Sequence, residues 1–125
     1  MTTKREVVDY FKKELGWVPE FVELLADYTP SALNGMLEFR RGFMAEPPVG
    51  ALPKKMKELI FIVLDTVAGN VEGGKAHARA AVQAGATIAE IAEALVITMY
   101  LMGVPTMEVA GKEILKAAIE RAGGK

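Results

Sequence analysis

Cysteine is absent from this 125-residue chain. That excludes disulfides, thiolate nucleophiles, thiolate-ligated zinc and iron–sulfur clusters. Histidine occurs once, so any zinc or copper site would rest on carboxylates plus a single imidazole. Neither a metal nor a cofactor is expected. No charge of one sign dominates: 15 Lys and Arg stand against 16 Asp and Glu, for a formal net charge of -1. Without a basic excess to neutralise phosphates, nucleic acid is not an expected partner. The apolar runs fall short of the roughly 18 residues that a membrane span needs, so no membrane partner is expected either. The opening Met-Thr-Thr-Lys-Arg-Glu leads into an amphipathic segment and not into an apolar leader, which gives the expectation of a soluble, cytoplasmic protein.

Hydrophobic residues make up 51% of the chain, enough for a core. Their spacing is helical. Val7, Tyr10, Phe11 and Leu15 form a stripe that Gly16 stops. Pro19 suits the first turn of a second helix, and Thr29-Pro30 reads as an N-cap with proline at the first helical position. The third helix carries Leu33, Met36, Leu37, Phe39 and Phe43. A loop follows at Glu46-Pro47-Pro48-Val49-Gly50. Pro53 opens a long apolar helix that turns at Gly69-Asn70, and a second resumes through His77 to a cap at Gly85. Thr87 and Glu90 make a capping box for the next helix. Gly103-Val104-Pro105 breaks that one, and a last helix runs from about Thr106 to Ala122. No segment alternates long enough to be a strand. The reading is all-α, a helical bundle around a central antiparallel hairpin. It is a single domain, with N-terminal helices at 1–50 packing on a core at 51–122.

Two segments, Leu59 to Leu64 and Ala94 to Val104, are apolar on nearly every side. Such helices must be buried all round, and one small chain has little interior for two of them. Either they form a central hairpin, or they are buried against other copies of the chain; the second is favoured, making the chain a homo-oligomer. Met56, Met99, Met102 and Met107 on or beside these faces read as gap-fillers.

Chemistry has few places to reside. Glu58 lies eleven residues before Gly69, and His77 eight after it. At ~1.5 Å per residue these are heights of about 16 and 12 Å above the turn, less than one helical turn apart. The two side chains can therefore meet across the hairpin. A carboxylate on an imidazole fixes its tautomer and raises its basicity, the preparation a general base needs. Glu58 could instead pair with Lys54 on the surface. Asp65 lies two turns beyond Glu58 on the same face, either as a second polar group in the cleft or as an exposed residue near the turn. Gly73 and Gly74 cost roughly 1 kcal/mol each against alanine in a helix. They mark either a loose helix start capped by Asn70, the favoured reading, or bare amides able to hold an anionic substrate group. Glu72 would oppose such an anion.

From Glu58 to about Pro105 the sequence resembles the carboxymuconolactone decarboxylase family, which includes alkylhydroperoxidase D. The likeness is carried by a Glu on an apolar helix, a short turn, a His, then Gly85-Ala86-Thr87 with Glu90-Ile91 and Glu93, then Gly103-Val104-Pro105. The first fifty residues carry no matching motif. The resemblance implies an all-helical protomer assembling as a trimer or hexamer, with sites in clefts near subunit contacts. The peroxidase branch places a Cys-x-x-Cys pair where this chain has Asn70 and Gly73. A family-level peroxiredoxin label therefore arrives without its dithiol chemistry. The decarboxylase branch lacks that pair and keeps the histidine. It tends to carry a tyrosine two residues before the Gly of Gly-x-Pro; here Leu101 stands there, and Tyr100 points about 100° away.

Two functions follow as expectations. The first is a cofactor-free lyase or isomerase for a small carboxylated lactone or enol acid. His77 would be its acid/base and Glu58 would orient it. Asn70, Gly73, Gly74 and Asp65 would bind the substrate. The second is a non-catalytic oligomer that binds a small molecule or a partner protein.

Overall fold

The computed structural model describes residues 3–123, and all regular structure in them is helical. The chain packs as two compact units, Met1–Pro53 and Lys54–Lys125.

The first unit holds α1 (Lys4–Leu15), α2 (Glu20–Tyr28) and α3 (Pro30–Phe43). The first helix starts at a capping box in which Thr3 and Glu6 satisfy each other's backbone amides, and it ends at Gly16 with φ 67°. Its stripe buries Val7, Phe11 and Leu15; Val22, Leu33 and Leu37 are buried on the other two helices. Thr29 departs from the expected cap: its hydroxyl turns back to the Leu25 carbonyl and makes no cap hydrogen bond to α3. Arg40 is buried here, donating to the Tyr10 hydroxyl at 2.9 Å and facing Glu14 at 3.8 Å.

In the second unit, α4 (Lys54–Ala68) and α5 (Val71–Gln83) form the antiparallel hairpin. Gly69, at φ 70°, makes the turn between them. On α5 the small residues Gly73, Gly74, Ala76, Ala78, Ala80 and Ala81 are all buried, which lets neighbouring helices approach closely. Gly74 shows why alanine would not serve there: a Cβ would stand 2.2 Å from Ile114 Cδ1. After Gly85, the Thr87–Glu90 capping box starts α6 (Ile88–Met102). Gly103, at φ 101°, breaks the chain as its sequence foretells.

The last segment is not one regular helix. A short α7 (Val104–Thr106) leads through a π-helical turn, Met107–Gly111, into α8 (Lys112–Arg121). There the Lys112 amide reaches back to the Met107 carbonyl. Gly111 suits the widened turn, since a Cβ would lie 2.9 Å from Met107 Sδ and 3.4 Å from the Thr106 carbonyl oxygen.

Ile62, Ala78, Ala81, Ile91, Leu95, Ala110, Ile114 and Ala118 form the core of this unit. The two all-apolar segments are each buried on one side only. Ile62 and Leu95 point inward, while Leu64, Ile97, Tyr100 and Leu101 are exposed in the single chain. No helix among the described residues is long and apolar enough to cross a membrane.

Candidate functional site

The hairpin brings Glu58 and His77 together. Glu58 Oε1 lies 3.0 Å from His77 Nδ1, and Oε2 lies 3.5 Å from it. Glu58 is fully buried and the imidazole nearly so, with 12% of its side chain exposed. An ionised carboxylate can only accept a hydrogen bond, so the proton of a neutral ring then sits on Nδ1, leaving the Nε2 lone pair free. Phe61, one turn along α4 from Glu58, stacks on the imidazole at 4.2 Å between centroids and 13° between planes. One residue thus holds the edge of the ring and another its face.

Asp65 continues the same face of α4. Its Oδ2 stands 4.0 Å from His77 Nε2, beyond hydrogen-bond distance but within reach of an ion pair. Burial pushes its carboxyl above the ordinary carboxylate range, and the negative charge of Glu58 adds to that. A hydrogen bond from Asn70 and the neighbouring His77 act the other way. Of the two placements the sequence left open, Asp65 takes the one beside the imidazole.

Asn70 is occupied at both ends of its amide. Its Oδ1 accepts from the Gly73 backbone at 3.3 Å as the N-cap of α5, and its Nδ2 donates to Asp65 Oδ1 at 3.1 Å. The two positions at which the peroxidase branch would carry cysteines are therefore joined here as a helix cap. The Gly74 amide bonds to the Asn70 carbonyl at 2.9 Å. Both amides are thus engaged in the helix start, with Asn70 as its cap, the favoured of the two sequence readings. What the glycines supply is room. A Cβ on Gly73 would meet Asn70 Nδ2 at 2.4 Å; one on Gly74 would meet Ile114 and would lie 3.5 Å from the Asp65 Cβ. Glu72 points away into an exposed pair with Lys75 at 3.5 Å.

Phe61 is the site residue that sequence reasoning missed. Its signal was its spacing, three residues after Glu58, but within an apolar run it reads as core. No group of three or more acidic, histidine or cysteine side chains among the described residues is arranged to hold a metal ion. Tyr100 is 85% exposed, and Leu101, in the place of the decarboxylase-branch tyrosine, is exposed as well.

A buried carboxylate paired with the only histidine across a helical hairpin defines a class: small all-helical proteins with a prepared imidazole. The family model for carboxymuconolactone decarboxylases matches residues 30–117, and the chain belongs to that family. The match begins at α3, earlier than the motif likeness from Glu58 onward. A crystal structure at 1.65 Å resolution, of a Burkholderia xenovorans LB400 protein that carries the carboxymuconolactone decarboxylase name, superposes with a TM-score of 0.84. It shares 28% identity, over 97% of this chain and 95% of that one. Comparison with curated proteins gives no match.

Proposed function

We propose that this protein is a cofactor-free lyase or isomerase acting on a small carboxylated lactone or enol acid, with His77 as its acid/base. The observation that carries this reading is the 3.0 Å contact between buried Glu58 and His77 Nδ1. That contact leaves Nε2 as the basic nitrogen. In the proposed step a proton leaves an acidic C–H or O–H bond of the substrate for the Nε2 lone pair. The bonding electrons stay on the substrate as an enolate. The resulting imidazolium keeps its Nδ1–H on Glu58, faces Asp65 Oδ2 across the ring and has Phe61 stacked on its face. Return of the proton to a different carbon completes an isomerisation. In a decarboxylation the bond to the carboxylate breaks, carbon dioxide leaves and its electron pair stays on the substrate as the enolate. His77, having taken a proton from solvent, then delivers it to that carbon. The substrate carboxylate is not assigned to the Gly73 and Gly74 amides, which the helix already uses.

The test is turnover of small unsaturated lactone carboxylates by purified protein, followed by carbon dioxide release and by loss of substrate absorbance. A positioned acid/base contributes about 10²–10⁴-fold. His77→Ala is expected to lower kcat by that factor. Equal turnover by His77→Ala and wild type sinks the reading.

A second reading, a non-catalytic binder on the same fold, draws on a different observation. Met56, Leu59, Ile60, Val63 and Leu64 line an apolar depression of about 210 Å³ along α4, away from Glu58 and His77. Another, of about 240 Å³, lies between the end of α4 and the segment from Pro105 to Ala110 and does not include them either. Saturable binding of a small apolar acid that leaves the imidazole signals unmoved would favour this reading. In either case we propose a homo-oligomer, a trimer or hexamer as the family resemblance implies, with exposed Ile97, Tyr100, Leu101, Val104 and Val109 as candidate contacts. Sedimentation of wild type against Leu101→Glu tests it, a monomeric wild type being the contrary result.

A further inference from the structure

Asn70 sits outside the imidazole pair, yet its two amide ends link the pair's surroundings. The Oδ1 end is fixed by the Gly73 amide, so the plane of the side chain is set by the start of α5. That fixed plane aims Nδ2 at Asp65 Oδ1, 3.1 Å away. A carboxylate held by one oxygen has its other oxygen placed, and here the placed oxygen, Oδ2, is the one facing His77 Nε2 at 4.0 Å. Gly74 of α5 runs beside the Asp65 stem, where even an added Cβ would make only an ordinary contact at 3.5 Å.

We propose that Asn70 is the positioning residue of this site, acting through Asp65 to present Oδ2 to His77 Nε2. This inference rests on the proposed acid/base role of His77 for its meaning, but not for its test. A ligand that hydrogen-bonds to both groups at once would sit beside the 4.0 Å Oδ2–Nε2 gap. The ligand chemistry that fits is a hydroxyl or enol, donating its proton to Nε2 and accepting one from a protonated Asp65. A carboxylate placed there would meet Glu58 and Asp65, two acidic groups, with only the imidazole to offset them. The charged groups acting on Asp65 are Glu58 of its own helix and His77 of α5, while α8 packs near it through apolar Ile114.

The experiment uses the full untagged chain, whose single imidazole gives one unambiguous pair of ¹⁵N signals. These are followed with pH beside the ¹³C signal of the Asp65 carboxyl, in wild type, Asn70→Ser and Asp65→Asn. Serine keeps an oxygen to cap α5 but is too short to donate to Asp65. In wild type the Nε2 signal is expected to step at the pH where Asp65 titrates, and Asp65→Asn is expected to abolish that step. In Asn70→Ser the Asp65 midpoint is expected to move upward, because a hydrogen bond favouring the carboxylate is lost, and the Nε2 step to shrink. Asn70→Asp, which also caps, serves if the serine variant unfolds, and it too is expected to raise the midpoint. A cap with no further role would leave both signals unchanged in these variants, and that result overturns the proposal. If no lactone is ever turned over while the coupled step is present, the acid/base function fails and the Asn70 assignment stands.

Discussion

Each unit buries one charged cluster, and the two differ in what they can do with a proton. In the first, Arg40 is ringed by Tyr10, Phe11 and Glu14. Its guanidinium carbon lies 5.6 and 5.7 Å from the two ring centroids. Guanidinium keeps its proton at any working pH, so this cluster holds charge still. In the second, an imidazole stands between two carboxylates, with three groups competing for protons. The first kind of burial holds a guanidinium against rings; the second brings titratable groups together, which is what the proposed proton transfer needs. Depth is common to both, and the titratable partner makes the difference.

Breaking the second cluster should have the largest effect. His77→Ala leaves fully buried Glu58 without its partner and is expected to cost about 3–5 kcal/mol of stability, measured by urea unfolding. A loss under about 1 kcal/mol would place Glu58 in contact with solvent. The next effect belongs to the frame of the site. Gly74→Ala forces a methyl into Ile114 and is expected to cost about 1–3 kcal/mol, with Ile114→Val restoring part of it by removing the offending Cδ1. Because valine keeps the Cγ1 that would lie 2.7 Å from the new methyl, the rescue is expected to be incomplete. An undiminished stability of Gly74→Ala alone would mean that α5 and α8 do not meet through these two residues.

The static cluster should be less sensitive. Arg40→Met removes the hydrogen bond to Tyr10 and the contact with the rings, yet leaves partly exposed Glu14 able to reach water. About 1–2 kcal/mol is expected. The smallest effect is a slope. Asp65 holds its proton more tightly in the folded chain than in the unfolded one, because burial disfavours its charge. Its contribution is therefore fully present below the ordinary carboxylate range and is lost as pH rises through the elevated folded value. Asp65→Asn should remove that decline, so unfolding curves of variant and wild type, compared across this window, should diverge upward in favour of the variant. Parallel curves would put Asp65 in bulk water.

Much of this was legible beforehand. The apolar stripes, the glycines that end helices and the Thr87–Glu90 box each state a local rule that the fold obeys. The meeting of Glu58 and His77 followed from counting residues on either side of Gly69, because two helices joined by a tight turn leave little freedom in height. What could not be read was lateral. Whether Asp65 turned inward depended on Asn70 reaching it across the turn, and two bonds on one amide are not visible in spacing. The glycine pair left two readings open because close packing and open amides leave the same mark in a sequence; the cap by Asn70 and the position of Ile114 show the packing. The π-helical turn was missed for a like reason, since Gly111 in an apolar helix looks incidental until Met107 is placed beside it.

The claim on which the account depends is that buried Glu58 fixes the tautomer of His77. Long-range ¹H–¹⁵N correlation of the untagged protein, at a pH where the ring is neutral, reads that tautomer directly. The account predicts the proton on Nδ1 in wild type, with the preference weakened in Glu58→Ala. A proton on Nε2 in wild type, or a pattern indifferent to the loss of Glu58, would contradict it.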